Sequence, residues 1–446
     1  MTYRFSVIAA VFGVEQYLDA FLESLVNQSL GFREHIEVIL VDDGSQDGSA
    51  GVIARWVALH PENIRYVKQA HGGQGSARNR GLAMAAGEWV TFIDPDDYVA
   101  RDYFEVIERI LGSPGGSKVG LVCCNLRPFD EARGNAIRPH PLGWRFQQEV
   151  RIVPVSDPGP YVQLSASTSF LLRKVLVEHD LCFDTRITPT FEDAHFVGRY
   201  LLCTPGHDMA FAARAVYFYR KRRDRSSTID TAWGQVGRFR EVLSFGLENL
   251  LLTAQEQLGQ APVWIQRMVL YDLSFLFKRV LRDPGSIGFL DASQRQQLDA
   301  VLQRIFAHID SDVIDEFELA GVTHLQRVGW LGLYKHLGPA RQVLYLESLQ
   351  AGPDRLRWRF YCREPIPTLR LSVGREPWTC DELTIKKFTF LGHFFANECI
   401  VDVPVSARSQ CLEATLGDLP TLFSLHGEER PGPIPIEAAL AAIGQV

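Results

Sequence analysis

The sequence predicts an α/β protein whose first half is a mostly parallel, Rossmann-like sheet, followed by a helical segment and a β-sandwich. Short apolar runs alternate with stretches of helical periodicity in the first half, a pattern typical of βαβ units. The predicted strands are residues 5–12, 36–41, 64–67 and 88–94. Beyond residue 231 the periodicity is helical, and from about residue 340 alternate residues are apolar, as in half-buried strands. We therefore predict three domains, at residues 1–232, 233–339 and 340–446.

Composition narrows the classes of protein that fit. The 446 residues are 46% hydrophobic and 22% charged, which is typical of globular proteins. A net charge of −7 argues against a broad nucleic-acid-binding surface. The eight cysteines form no Cys-x-x-Cys pair, which favours reduced thiols over a disulfide framework or a zinc site. No signal peptide and no membrane-spanning run is indicated. We expect a soluble cytoplasmic protein, with attachment to the inner face of the membrane as an option.

Three carboxylates follow the predicted strand at residues 88–94, namely Asp94, Asp96 and Asp97. Ligands of open α/β sheets bind at the carboxyl ends of the strands. Asp-x-Asp at that point fits a divalent cation that holds phosphate oxygens. Asp is also a favoured helix N-cap, so Asp96 and Asp97 fit the capping of a predicted helix at residues 102–111 equally well. Capping does not account for Asp94, which precedes Pro95 on the strand side.

Two further polar loops are predicted to reach the same edge of the sheet, because right-handed crossovers bring parallel strand ends to one rim. Asp42 and Asp43 directly follow a buried strand, and they fit either a simple turn or hydrogen bonds to a nucleoside. The glycine-rich loop at residues 71–79 opens the next helix. Its glycines fit either a helix start or close backbone approach to a diphosphate, with Arg78 supplying positive charge.

Two candidate segments lie further along the chain. Glu192 and Asp193 stand between Phe191 and Phe196 at a predicted helix start, where acidic residues are also favoured by the helix dipole alone. Five cations occur within residues 220–225, with hydroxyl side chains directly behind them. This basic segment fits either a solvated surface or a phosphate clamp.

Six motifs, in order within residues 4–230, resemble inverting family 2 glycosyltransferases of the GT-A fold. They are Val-Glu-Gln-Tyr-Leu, Val-Asp-Asp-Gly-Ser, Gly-Gly-x-Gly-x-Ala-Arg-Asn, Phe-Ile-Asp-Pro-Asp-Asp, Glu-Asp and Tyr-Arg-x-Arg. The resemblance implies a nucleotide-sugar donor across the strand ends, with Mg²⁺ or Mn²⁺ bridging its diphosphate. The first strand departs from the family pattern, because Ala10-Val11-Phe12-Gly13 stands where Pro-Val-Tyr-Asn is usual.

The resemblance also implies roles for individual residues. Asp193 matches the catalytic base, with Glu192 beside it, and Asp96 matches the metal ligand. Asp43 matches the residue that contacts the base, usually uracil, and Arg220 and Ser226 match a segment that closes over the diphosphate. Arg127 is a candidate for binding an anionic acceptor. Donor binding is implied for Ala10, Phe12, Asp42, Asp43, Gly73, Arg78, Asp94, Arg220 and Ser226.

The remainder of the chain carries no recognisable catalytic motif. Residues 263–282 show one apolar stripe, which fits a helix packed in a core or, because several cations share the segment, a membrane-surface helix. The β-rich part resembles the accessory module of bacterial wall teichoic acid glycosyltransferases and capsule polymerases. That resemblance implies acceptor-chain binding, self-association or linkage to a further catalytic domain.

Together these features predict a metal-dependent, inverting glycosyltransferase. It is expected to move a sugar from a nucleotide sugar, most simply a UDP-sugar, to a hydroxyl of a teichoic acid or capsule polymer. The alternative is a non-catalytic binding or scaffold module of a larger polymer synthase. A nucleotidyltransferase is disfavoured, because that class needs a basic residue in a glycine-rich loop after the first strand, and residues 10–14 contain none.

Overall fold

The computed structural model describes residues 3–130, 135–136, 140–222, 228–350, 355–374, 376–378, 383–404 and 410–444. The chain divides into two compact units. The first consists of Met1–Asp272 and Gln296–His308, and the second of Leu273–Arg295 and Ile309–Val446. The three-domain division drawn from the sequence, with boundaries after residues 232 and 339, stays a prediction.

Strands and helices alternate through most of the first unit. Its elements are β1 (Phe5–Val11), α1 (Glu15–Val26), α2 (Phe32–His35), β2 (Ile36–Asp42), α3 (Ser49–Leu59), β3 (Ile64–Lys68), α4 (Gln74–Met84), β4 (Trp89–Phe92), β5 (Tyr98–Val99), α5 (Tyr103–Leu111), β6 (Val119–Asp130), β7 (Asn135–Ala136), β8 (Val150–Pro154), β9 (Ser169–Leu172), α6 (Arg173–Glu178), α7 (Glu192–Leu202), β10 (Asp208–Lys221), α8 (Thr228–Thr231) and α9 (Asn249–Leu258). A π-helical stretch, Val242–Glu248, leads into α9. Helices α10 (Val263–Arg282) and α11 (Ala292–Ala307) follow.

The strands of the first unit form one mixed sheet with the order β3-β2-β1-β4-β9-β6-β10-β5. The first four strands in this order are parallel, as predicted. Strand β9 is antiparallel to both β4 and β6, so the sheet beyond β4 is mixed rather than mostly parallel. Because β9 runs opposite to β4, the segment that precedes it reaches the edge at which β4 ends. This reversal brings residues 164–168 to the polar loops.

Packing on both faces of the sheet fixes where the polar loops lie. Helix α1 buries Tyr17, Leu18, Phe21, Leu22 and Leu25 on one side. On the other side α4 approaches β1 closely at Gly81, where an added Cβ would lie 2.4 Å from Ile8 Cγ2. Only glycine permits this approach, because a side chain there would collide with the strand. The close contact holds the amino-terminal half of α4, which carries Arg78, against the sheet edge.

Helix α10 confirms the core interpretation of its apolar stripe. The predicted stripe residues are each at most 2% exposed: Ile265, Val269, Leu273, Leu276, Phe277 and Val280. Because this face is buried, it does not present a surface to a membrane. Among the residues with described positions, no helix combines the length and apolarity that crossing a bilayer requires.

The second unit contains two antiparallel-rich sheets. Its elements are α12 (Ser311–Asp315), α13 (His324–Trp330), β11 (Gln342–Gln350), β12 (Arg355–Cys362), β13 (Leu369–Val373), β14 (Glu376–Trp378), β15 (Thr384–Phe390), β16 (His393–Pro404), β17 (Cys411–Leu416), β18 (Thr421–Leu425), β19 (Glu428–Pro431), β20 (Ile434–Pro435) and α14 (Ile436–Ile443). A π-helical turn, Leu331–Lys335, continues α13. The sheets have the orders β15-β16-β12-β11-β18-β19 and β14-β13-β17-β20, and both contribute to one core, as in the predicted β-sandwich.

Candidate active site

A cleft of about 720 Å³ opens at the carboxyl edge of the parallel strands. It is bordered by the loops after β1, β2 and β4, by the segment before β9, by the start of α7 and by the end of β10. The charged residues that line it, among those described, are Asp43, Asp94, Asp96, Glu192, Asp193, Arg78, Lys221 and Arg222. Carboxylates outnumber fixed cations in this set, so the cleft attracts positive charge.

Arg78 lies at the centre of the cleft wall. Its side chain is 2% exposed, and its guanidinium donates to Asp94 Oδ1 at 2.8 Å and to Asp193 Oδ1. It also contacts Ser167 Oγ at 3.3 Å and lies 5.3 Å from the centre of the Phe183 ring. The carboxylates Asp193, Asp94 and Glu192 together raise the pKa of Arg78 although burial opposes them. Arg78 therefore joins two carboxylates that are 99 positions apart in the sequence.

Asp193 and Glu192 occupy the first turn of α7, as predicted. The helix begins after Phe191, whose φ of 76° is left-handed, and this turn directs Asp193 into the cleft. Asp193 Oδ2 accepts a hydrogen bond from the Ala166 backbone N–H at 3.0 Å. Burial raises the pKa of Asp193, opposed by Arg78 and reinforced by Asp94. Burial and the charge of Asp193 raise the pKa of Glu192 to about 8.

The carboxylates after β4 face two directions. Asp94 accepts hydrogen bonds from Arg78, from Gln74 Nε2 at 3.1 Å and from Ser167 Oγ at 3.0 Å. Asp96 binds Arg222 Nε at 2.7 Å, and burial, together with the charge of Asp94, raises its pKa.

Neither Asp96 nor Asp97 caps a helix, so the capping interpretation is wrong. Helix α5 begins at Tyr103, and its N-cap Asp102 makes no side-chain cap bond. Asp97 instead accepts from Tyr217 Oη at 2.6 Å and from the Arg220 backbone N–H at 2.7 Å. The short strand β5 separates both carboxylates from the helix, which puts the helix start out of their reach.

Asp43 links the loop after β2 to the glycine-rich loop at residues 71–79. Its carboxylate accepts from the backbone N–H groups of Gly72 at 2.9 Å and Gly73 at 2.8 Å. Gln69 Nε2, at 2.8 Å, and His71 Nδ1, also at 2.8 Å, complete the set. These contacts hold the glycine-rich loop, where Gly73 has a φ of 86°, against the cleft. The role of Asp43 toward a nucleobase stays a prediction.

Asp42 behaves as the turn residue of the pair. It is fully buried and does not line the cleft, and its carboxylate accepts from Ser45 N at 2.7 Å and Tyr66 Oη at 2.9 Å. Although burial raises the pKa of Asp42, these hydrogen bonds and Lys68 bring the net value below the ordinary one. Its predicted place beside the donor stays a prediction.

The end of β1 contributes an aromatic platform. Phe12 is 53% exposed and stacks on the His71 ring, with ring centres 4.5 Å apart. Ala10, Phe12 and His71 all line the cleft. An exposed stacked pair at the mouth of a cleft fits a planar ring as its ligand.

The described part of the basic segment lines the cleft with two of its cations, and the predicted role of Arg220 toward the diphosphate stays a prediction. Arg220 does not line the cleft; its Nε donates to the Asp96 carbonyl at 2.6 Å, and its guanidinium packs over Tyr17 and Phe129. Arg222 and Lys221 line the cleft instead. Ser226 lies outside the described residues. Arg127 is exposed on β6, where its neighbours Leu126 and Pro128, but not Arg127, line the cleft.

Several residues of this site were missed in the sequence. Ser167 bridges Asp94 and Arg78, Tyr217 holds Asp97, and His71 and Gln69 bind Asp43. Ser167 belongs to a run of small hydroxyl residues before β9, which in a sequence is typical of any loop. The signal that identifies it is the reversal of β9, and that reversal is visible only in the sheet.

The residues after β4 fit a hard divalent cation. Asp94 and Asp96 supply oxygen ligands, and burial with the charge of Asp94 raises the pKa of Asp96, so a nearby cation would stabilise its ionised form. Within the described part of the chain, no three His, Cys, Asp or Glu side chains converge on one point. The remaining ligands would then come from donor phosphates and water, which is usual for Mg²⁺.

Comparison with known families decides the class of this fold. Residues 6–157 match the family model described as glycosyl transferase family 2. The chain carries a glycosyl transferase family 2 domain. The matched residues include Asp43, Arg78, Asp94 and Asp96, whereas Glu192 and Asp193 lie beyond the match.

Two similar proteins come from Bacillus subtilis (strain 168). The minor teichoic acid biosynthesis protein GgaB is 31% identical over 322 residues, which are 72% of this chain and 34% of GgaB. The minor teichoic acid biosynthesis protein GgaA is 27% identical over 317 residues, which are 71% of this chain and 69% of GgaA. The chain thus spans about a third of the length of GgaB.

Solved structures of S. aureus TarS share the fold. TarS aligns with 97% of this chain and 77% of its own, with a TM-score of 0.59 and 14% identity. TarS 1–349 in complex with UDP-GlcNAc aligns with 74% of this chain and 86% of its own, with a TM-score of 0.56 and 19% identity. Together with the family match, this likeness confirms the predicted GT-A fold.

Proposed function

We propose that this chain is a metal-dependent, inverting glycosyltransferase. It transfers a sugar from a UDP-sugar to a hydroxyl of a teichoic-acid-type polymer, with Asp193 as general base. The names of GgaA and GgaB support the polymer class, and the UDP and UDP-GlcNAc in the titles of the TarS structures support the donor class.

One observation carries the proposal. Asp193, from the start of α7, and Asp94, from the end of β4, bind the same buried guanidinium at one cleft wall. A structural ion pair needs one carboxylate, whereas a reaction that deprotonates a nucleophile beside a charged leaving group needs two carboxylates in separate roles. The arrangement supports a donor on the Asp94 and Asp96 side and an acceptor hydroxyl near Asp193.

The chain's own groups account for the proton transfer. The raised pKa of Asp193 brings this carboxylate closer to the working pH, where a general base is most effective. Arg78 and the Ala166 N–H hold its two oxygens in fixed directions. Asp193 would take the acceptor proton as the acceptor oxygen attacks the anomeric carbon from the face opposite the diphosphate, which inverts the configuration.

Charged residues also lie on the side of the cleft that would hold the leaving diphosphate. Arg222 and Lys221 line the cleft beside Asp96 and would bind the departing diphosphate oxygens. Asp96, with Asp94 beside it, would hold Mg²⁺ or Mn²⁺, which when bound neutralises charge on the diphosphate. The exposed Phe12–His71 pair would stack on the base of the donor nucleotide.

The experiment that tests the proposal measures UDP release. Purified protein is incubated with a panel of UDP-sugars, with and without teichoic acid acceptor, in Mn²⁺, Mg²⁺ or EDTA. We expect acceptor-stimulated UDP release that EDTA abolishes and that Asp96→Ala reduces by weakening donor binding. A non-catalytic binding module would bind a donor or polymer without releasing UDP under any of these conditions.

Other features stay predictions. They are the sugar transferred, attachment to the cytoplasmic face of the membrane, self-association and a link to a further catalytic domain.

A further inference from the structure

A second cavity, of about 430 Å³, lies within the second unit. It is lined by the π-helical turn and the loop after it, by the start of β11, by the chain that leaves β12 and by Leu419. Its volume falls in the range of about 300–1,000 Å³ that is usual for small-molecule sites. The catalytic residues discussed above belong to the first unit, so they contribute nothing to it.

One buried polar side chain in the wall of this cavity lacks a partner among the described residues, and another lies across a strand pair from the wall. Gln342 lines it and is 4% exposed, yet its Oε1 accepts no hydrogen bond from any described residue. Asn397, directly across the strand pair from Cys362 of the cavity wall, is fully buried, and neither amide atom has a partner in the described chain. Each such group costs stability unless a ligand or water satisfies it.

Arg363 supplies a positive charge at the same place, with Glu364 as its neighbouring carboxylate. Its Nη1 is buried without a partner among the described residues, and burial lowers its pKa. The neighbouring Glu364 is engaged by Lys387 at 2.6 Å. Gly332 makes room for Arg363, because a Cβ at that position would lie 1.7 Å from Arg363 Cδ. Close packing on Gly332 therefore holds the guanidinium in one position instead of leaving it free on the surface.

Glu364 and His336 also line the cavity, and five other lining residues are apolar. Leu337, Pro339, Pro365, Pro367 and Leu419 line the cavity. Apolar walls with a few convergent polar groups are typical of sites that bind small polar molecules by their C–H faces and their hydroxyls. A metal ion does not fit, because no three potential ligands converge anywhere in the described chain.

We propose that this cavity binds a phosphate-bearing polyol or sugar unit, with Arg363 taking the phosphate and Gln342 taking a hydroxyl group. An amide offers both a donor and an acceptor, as a hydroxyl does, whereas a guanidinium matches phosphate oxygens. The proposal deepens the proposed function, on which it rests for its ligand source. It makes the second unit a binding site for a repeat unit of the acceptor polymer.

The test uses the full chain and glycerol 3-phosphate as probe, with glycerol and inorganic phosphate as partial probes, in titration calorimetry. We expect one binding site for glycerol 3-phosphate and weaker binding of each partial probe. Arg363→Met should weaken binding by about tenfold or more, because it removes hydrogen bonds to a charged group. Arg370→Met, at an exposed position of β13, is the matched control and should bind as the wild type does.

Gln342→Leu separates a ligand site from a merely structural role. This variant removes an unpartnered buried oxygen, so its melting temperature should be unchanged or higher, while probe binding weakens about fivefold. Absence of binding, or equal binding by wild type, Arg363→Met and Gln342→Leu, would overturn the proposal.

Binding to lipid vesicles distinguishes two sources of the phosphate, a lipid headgroup and a unit of the polymer. Arg363-dependent co-sedimentation with phosphatidylglycerol vesicles, but not with phosphatidylcholine vesicles, would assign the site to a lipid headgroup. Its absence, with binding of the soluble probe, would assign the site to a polymer unit. If the wild type binds the probe through Arg363 but releases no UDP from any donor, the proposed function fails and the site stands.

Discussion

At the scale of single residues, Arg78 supplies the positive charge that three neighbouring carboxylates share. Asp94, Glu192 and Asp193 all lie within 3.8 Å of its guanidinium nitrogens. Removing the only guanidinium that the described contacts give to Asp193 would leave buried negative charges unpaired, which usually costs about 3–5 kcal/mol.

We therefore expect Arg78→Met to lower the free energy of unfolding by about that amount. Arg80→Met is the control, because Arg80 is exposed on the same helix. Urea unfolding of the two variants checks the expectation. Equal stability of the two variants would contradict it.

Glu192 gives the site a stability that depends on pH. Its pKa is about 8 when folded, against an ordinary value of 4.5, so the folded protein binds this proton more tightly than the unfolded chain. The contribution of Glu192 is complete below the ordinary value and is lost as pH rises through about 8.

Between pH 6 and pH 9 the free energy of unfolding should fall less for Glu192→Gln than for the wild type. The difference between the two losses should be about 1–3 kcal/mol, because glutamine carries no charge to bury. Unfolding free energies at the two pH values test this expectation, with Glu178→Gln, which is exposed on α6, as the control. Parallel pH profiles for wild type and Glu192→Gln would contradict it.

The adjacent carboxylates Asp42 and Asp43 show what the sequence does not predict about single residues. Asp42 and Asp43 look equivalent in the sequence, yet β2 extends through Asp42 and buries it, while Asp43 lines the cleft. Successive side chains of a strand face opposite ways, so a one-residue shift in the strand end exchanges their roles. The motif identified the pair, but the register that separates them is a property of the folded sheet.

At the scale of elements, the contact between α4 and β1 positions the cleft wall. Gly81→Ala would drive a methyl group into Ile8, which lies 2.4 Å from the added Cβ, and should destabilise the protein by about 1–3 kcal/mol. Gly51→Ala, in α3 with open space around it, should instead stabilise by about 0.5–1 kcal/mol.

Urea unfolding of both alanine variants tests this pair of expectations, and UDP release shows whether displacement of α4 also moves Arg78. A neutral Gly81→Ala would mean that α4 can shift away from β1 without cost.

Strands β1 to β4 were predictable from the sequence, because each is a compact apolar run followed by a polar loop or a helix. The direction of β9 was not. Its four residues carry no signal of orientation, and strand direction depends on the loop that leads into it. As a result Ser167, which this reversal brings to Asp94, was also missed.

At the scale of the whole molecule, the packing within the second unit tests the domain boundary predicted at residues 339 and 340. In that unit the backbone of α13 packs directly on Phe395, since a Cβ at Gly329 would lie 2.1 Å from that ring. A fragment of residues 340–446 lacks α13, whereas a fragment of residues 309–446 keeps it.

We expect the longer fragment to have the higher melting temperature, because it covers Phe395. Thermal unfolding of both fragments by circular dichroism provides the comparison. Equal melting temperatures would support the predicted boundary.

The central claim of the proposed function concerns the first unit: Asp193 would act as a base beside a donor bound at Asp94 and Asp96. The most direct measurement compares Asp193→Asn with the wild type in donor binding and in sugar transfer. Asp19→Asn, at an exposed position of α1, is the control. We predict that Asp193→Asn binds the UDP-sugar with unchanged affinity and transfers it about 10²–10⁴-fold more slowly. Transfer at the wild-type rate would contradict the account.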